Sequence, residues 1–465
     1  MLRLPDVVLF MVVAVVSTRW LPAAGAVGPL SIVLWLIAGA TFFVPLALAV
    51  IELSSRHPEE GGIAVWARAA FGKRTGFMTG WMYWASCLVY FPSMLTFVAS
   101  NVEYATGSRL SSHLPAGTFT LAVTLIGLAL ALLPNLLGLG IGRWLHNLGA
   151  ISGWAAVMLL IAAGVTCAVR FGSATRFDVA SLRHGIGARE AILCASIAFG
   201  FNSLEASSLL GDEIHDARRT IPRAVLLAGA LITALYVAGT VAILMAVPAP
   251  EVNGLLGIVQ SMERAGHMLG WPALGPLTAV LIAIAGLGTA GAYLASTARL
   301  PFVASEDHVL PEAFGRIHPR WGVPHVALLV QAAGAAAIAL LSQAGTTVRG
   351  AYDALLSMGV ITYFLPFLVM FAALIRLQRE PAAAGTIRVP GGAGAAIAIG
   401  ALGFASTSVA LVLAVVPSPE AGNPVLAVLK VVGASAALTI AGWWIYAAGT
   451  RRRAATLAAR AGVTP

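Results

Sequence analysis

Apolar runs of about 20 residues, each closed by a short polar or charged cluster, recur along nearly the whole chain. Their spacing predicts about twelve helices, over 5–26, 30–54, 76–104, 117–137, 145–169, 188–210, 223–247, 272–298, 324–343, 351–376, 393–416 and 425–448. A helix of that length crosses the roughly 30 Å hydrocarbon core of a bilayer. None of the runs shows the period-2 alternation of a half-buried strand. The first run lacks a small-residue cleavage site and exceeds a signal-peptide core, so it reads as the first spanning helix.

Two runs break their own pattern. In the first, Val15-Val16-Ser17-Thr18-Arg19-Trp20-Leu21-Pro22 puts a guanidinium at membrane depth, which costs at least ~2.5 kcal/mol. Pro22, Gly25 and Gly28 follow, and a proline there removes a backbone donor and clashes with the preceding turn. A spanning helix broken at its middle is tolerated only where the freed backbone is buried in protein or lines a cavity. The sixth run has a counterpart in Phe199-Gly200-Phe201-Asn202-Ser203-Leu204-Glu205. The two stretches are the expected halves of one binding site.

Composition narrows the class. Of the 465 residues 59% are hydrophobic and 10% charged, against roughly a quarter charged in soluble chains. The chain therefore reads as one integral membrane domain over 1–465, with no soluble domain between its spans. Of its 28 Lys and Arg, nineteen fall on the side of the N-terminus, eight on the other, and Arg19 lies within a span. Basic loops face the cytoplasm, so both termini are expected there. The loop after the fifth span is a local exception, with Arg170, Arg176, Arg183 and Arg189 outside. The net charge of +9 follows from these loops and does not point to nucleic acid. Cys87, Cys167 and Cys194 lie in apolar runs, at no metal or disulfide spacing. The loop over 300–324 mixes Glu306, Asp307, His308, Glu312 and His318 with Phe302, Val303, Leu310 and Phe314. It reads as an interfacial or gate-packing segment, its histidines solvated rather than metal-bound. No GxSxG, HExxH or phosphate loop is present, and the scattered glycines mark close helix packing.

Five stretches converge on one family. They are the Pro58–Gly62 turn with Ala69-Ala70-Phe71-Gly72; Phe199-x-x-x-Ser203-x-Glu205; Asp212-Glu213 through Ala217-Arg218-Arg219 and Ile221-Pro222-Arg223; Arg299 with Val303, Leu310-Pro311 and Phe314; and Ile387-Arg388-Val389-Pro390-Gly391-Gly392. Together they resemble the amino acid–polyamine–organocation (APC) superfamily over essentially the whole chain, nearest to its bacterial glutamate/GABA antiporter branch. The resemblance implies a LeuT-like fold. Two inverted five-helix repeats would occupy about 5–170 and 188–376, with two extra helices over 393–448 and a basic tail over 449–465. Helices 1 and 6 would be broken at the substrate site.

The same resemblance places the site residues. Val16 and Ser17 stand where the family has Gly-Ser-Gly in helix 1, followed by Thr18 and Arg19. Ser203 replaces the helix 6 glycine, beside Asn202, and both could hydrogen-bond a substrate or a neighbouring helix. Phe199 takes the aromatic position that closes over substrate in relatives, and Tyr293 that of an aromatic gate. Thr289 replaces a glutamate of the glutamate/GABA branch, and Thr362 and Pro366 stand where that branch has tyrosines, so its substrate does not transfer directly. Arg19 is expected to grip a substrate carboxylate or to pair with Glu205, the family's helix 6 acid, as a gate. The fifth span lacks the lysine that some relatives carry where sodium sits in sodium-coupled ones. Ser296 and Thr297 are common packing hydroxyls as much as sodium ligands.

The expected function is secondary transport of amino acids or related amines by alternating access, through exchange or proton-linked movement, in the bacterial inner membrane. The partners are a small-molecule substrate and lipid, with the protein as monomer or homodimer, no covalent chemistry, no cofactor and no metal. The alternative is a membrane sensor that keeps the fold and moves nothing, favoured by the bulk at Val16 and Ser203.

Overall fold

The computed structural model describes residues 3–15, 17–57, 61–107, 111–115, 117–178, 197–202, 205, 216–301, 309–343, 347–381, 385–416 and 423–460. Val16, Ser203 and most of the 188–210 run lie outside them, as do residues 302–308 of the loop after the eighth span. In chain order the helices are α1 (Leu4–Val15), α2 (Trp20–Gly25), α3 (Leu30–Ala38), a π-helical turn over Gly39–Phe43, α4 (Val44–Arg56), α5 (Ile63–Phe71), α6 (Lys73–Ala105), α7 (Thr118–Leu136) and α8 (Leu139–Phe171). After the Ile197–Asn202 segment come α9 (Ala217–Ala246), α10 (Gly257–Leu269), α11 (Leu274–Thr297), α12 (His325–Gln343), α13 (Val348–Leu377), α14 (Gly392–Val415) and α15 (Pro424–Arg460). No strand occurs among the described residues.

Ten segments among the described residues are long and apolar enough to cross a membrane. They correspond to ten of the twelve expected spans, all except the first and the sixth. The first is divided into α1 and α2, and Ser17–Arg19 between them are not helical. The break lies upstream of Pro22 rather than at it. Pro22 is the third residue of α2, where backbone N–H groups have no intrahelical acceptor to lose. Its ring would instead meet the carbonyl of Thr18 if the helix ran on, so the proline sets where the helix must stop.

The bundle holds together through backbone approach and a few buried polar ties. A Cβ built on Gly149 of α8 would lie 2.5 Å from the Gly288 Cα of α11, so these two helices touch backbone to backbone. At one end of α4 the fully buried Glu52 accepts from Arg56 Nη2 at 3.2 Å, Gln378 Nε2 at 2.6 Å and the Val389 amide at 2.9 Å. Arg56, its side chain only 6% exposed, also donates to the Leu377 carbonyl at 2.7 Å. These bonds tie α4 to the end of α13 and to the Ile387–Pro390 stretch before α14. Glu52→Gln removes the charge that balances Arg56 and turns one acceptor into a donor facing donors. It should destabilise the protein by about 1–3 kcal/mol. A melting temperature unchanged from wild type would show that the tie contributes nothing.

Candidate functional site

The break in the first span and the Ile197–Asn202 segment meet at the phenol of Tyr236 on α9. Its oxygen accepts the Ser17 amide at 3.2 Å and donates to the Gly200 carbonyl at 2.9 Å. Tyr236 is fully buried and stacks on Trp35 of α3, centroids 4.5 Å apart at 12°. The Trp35 indole donates to Thr240 Oγ1 at 3.1 Å, so the phenol is held on two sides. Backbone groups that lost their helical partners at both interruptions are thereby satisfied by one side chain.

Two cavities flank this junction. The larger encloses about 750 Å³, its mouth included, and is bounded by Ser17–Trp20, by Tyr90 and Met94 of α6, by Gly149–Val157 of α8, and by Thr289 and Tyr293 of α11. The smaller, about 380 Å³, lies against Ser86, Ser93, Phe199 and the Leu355–Tyr363 stretch of α13. Arg19, Tyr90, Asn202 and Tyr293 line both. The rings of Tyr90 and Tyr293 lie 4.7 Å apart.

Arg19 is 3% exposed. Its guanidinium sits 4.5 Å over the Trp20 ring and 4.9 Å over Tyr90, and Nη1 donates to Ser93 Oγ at 3.3 Å. Nε has no hydrogen-bond partner. No ion pair joins it to Glu205 among the described residues. Glu205, 1% exposed, instead takes the Tyr83 hydroxyl on Oε1 at 2.8 Å and the Tyr363 hydroxyl on the same oxygen. It thus bridges the sixth span to α6 and α13.

The remaining candidates divide. Ser17, Thr18, Arg19, Asn202, Thr289 and Tyr293 line the larger cavity. Phe199 lines the smaller one and meets Trp20, Tyr363 and Phe364 edge to face at 5.3–5.4 Å. The Thr289 hydroxyl donates back to the Ala285 carbonyl. Thr362 lines neither cavity, is fully buried, and donates to the Met358 and Gly359 carbonyls. Its neighbour Tyr363 reaches the site instead, because one residue along a helix is a turn of about 100°. Ser86, Tyr90 and Ser93 were missed as well. Their spacing of four and three puts them on one face of α6, and that polar stripe inside an apolar helix was the available signal.

A buried helical bundle with two interrupted segments around a central cavity defines the architecture of secondary transporters. The chain belongs to the amino acid permease family, whose model matches residues 2–444. It is 28% identical to a transporter of Legionella pneumophila, with 89% of each chain covered. It is 22% identical to a probable agmatine/putrescine antiporter of Lactococcus lactis, covering 79% of this chain and 78% of that one. It is also 22% identical to that organism's glutamate/gamma-aminobutyrate antiporter, covering 82% and 77%. The crystal structure of MhsT in complex with L-phenylalanine matches with a TM-score of 0.58 at 14% identity, over 88% of this chain and 97% of that one. The fold is thus LeuT-like, and the protein is an integral membrane member of the APC superfamily.

Proposed function

We propose that this protein moves amino acids or related amines across the bacterial inner membrane by alternating access, with both termini cytoplasmic. The observation that carries the reading is the meeting of two interrupted segments, joined through Tyr236, beside a cavity lined by the buried Arg19. Such a site offers a zwitterion hydrogen-bond donors for its carboxylate and carbonyls for its ammonium. The antiporters among the relatives support exchange. Exchange or proton-linked movement is preferred over sodium coupling in this reading; on α11, Ser296 and Thr297 both donate to the Tyr293 carbonyl, and Thr297 accepts from Gln331 Nε2 of α12 at 2.6 Å.

Purified protein in liposomes should show saturable uptake of at least one amino acid or amine, accelerated by the same compound preloaded inside. Replacing sodium by potassium should leave the rate nearly unchanged. Absence of flux across a broad panel would overturn transport, and a steep sodium dependence would overturn the coupling.

A further inference from the structure

We infer that the solute taken by this cavity is a small carboxylate with an apolar or aromatic side group, and that cationic amines without a carboxylate are excluded. The inference rests on the transport reading of the same site and narrows it from amino acids or amines to acids and zwitterions. Its basis is the state of Arg19. The side chain is 97% buried by its 3% exposure, and only one edge of its fork is used, Nη1 on Ser93. On the other edge Nε is buried with no hydrogen-bond partner. That edge is the one a carboxylate takes with two parallel bonds.

Among the described residues the linings supply no compensating anion. No Asp or Glu among the described residues lines either cavity. The buried Glu205 is engaged by two tyrosine hydroxyls and lies outside both linings. A buried cation held only by π faces and one hydroxyl attracts an anion strongly. The same charge repels an amine entering without one, and in a site of low dielectric that repulsion is poorly screened. Trp20, Tyr90, Met94, Trp154 and Tyr293 present rings and a thioether to the larger cavity, which accept an apolar or aromatic side group, and the faces of Trp20 and Tyr90 are already taken by the Arg19 guanidinium. An ammonium is tolerated where neutral dipoles such as the Asn202 amide face it, and is not required.

Matched triads separate the two ends of the solute: phenylalanine, 3-phenylpropionate and phenethylamine; leucine, 4-methylpentanoate and 3-methylbutylamine. The other amino acids with their amines, and putrescine and agmatine, complete the set. Binding is read by thermal shift and by competition on the full-length protein. The zwitterion and acid of at least one triad should bind about tenfold or more tighter than the matching amine, a ratio one missing charge contact readily provides. Putrescine and agmatine should give no shift. An amine binding as tightly as its acid, a shift by putrescine or agmatine, or no shift by any carboxylate in the set overturns the inference. A carboxylate that binds and is not moved in liposomes overturns transport and leaves the binding preference standing. Arg19→Gln, if folded by its melting temperature, should bring the acid-to-amine ratio towards one; an unchanged ratio would remove Arg19 as the selector. Should Arg19→Gln not fold, Arg19→Lys keeps the charge and should keep the preference with weaker binding; loss of the preference there overturns the charge argument.

Discussion

Arg19→Ala should weaken substrate binding by roughly 2–5 kcal/mol, the range for truncating one partner of a desolvated charge contact, while the protein stays folded. The two halves of this expectation have separate causes. Binding falls because the guanidinium is the one formal charge among the described residues lining the cavities. Stability holds because Arg19 has no ion-pair partner among the described residues to strand. Removing an unpaired buried cation relieves its desolvation, which offsets the loss of its contacts with Trp20 and Tyr90. Arg19→Lys should fall between, since a lysine keeps the charge and loses the planar fork. The double variant Arg19→Ala with Glu205→Gln decides the gate-pair reading. If Arg19→Ala lowers the melting temperature and Glu205→Gln restores it, the two residues are a pair after all. Affinity and stability both untouched by Arg19→Ala would move the site elsewhere.

Tyr236→Phe should be the most damaging conservative change in the bundle. Phenylalanine keeps the ring stacked on Trp35 and removes only the hydroxyl. The Ser17 amide and the Gly200 carbonyl both bond to that oxygen. Leaving a buried polar group unsatisfied costs about 1–3 kcal/mol each, so the pair amounts to roughly 2–6 kcal/mol, lost where the two interruptions meet. The melting temperature should fall and uptake should fall further than stability alone accounts for, because the two segments lose their common anchor. Uptake measured at a temperature well below the melting point of the variant isolates that second effect. Wild-type uptake and melting would show that the phenol is incidental to the site.

The contrast between Thr362 and Tyr363 shows how far the sequence reaches. A register borrowed from relatives singled out Thr362, and one residue's step to Tyr363 rotates a helical side chain by about 100°, from the packing into the cavity lining. Phe199 and Glu205 were named from their motif, yet their partners Tyr83, Tyr363, Trp20 and Phe364 come from stretches over a hundred residues away or from separate helices. Nothing local marks such partners.

By itself the sequence determined the class of molecule, the order and approximate ends of the ten described spans, and the two stretches where the pattern breaks. Those features are written in composition and in periodicity, because a bilayer demands apolar length and a helix satisfies its backbone within its own segment. The position of Arg19 at membrane depth was equally legible, since a lone charge in an apolar run stands out. Only the tertiary structure decided what surrounds that charge: Ser93, Tyr90 and Trp20 rather than Glu205. Only it revealed the Tyr236 hydroxyl joining two breaks 183 residues apart, Ser17 and Gly200. Between helices, contact depends on rotation and approach, which are set by glycines such as Gly149 and Gly288 and by the packing of every neighbour at once.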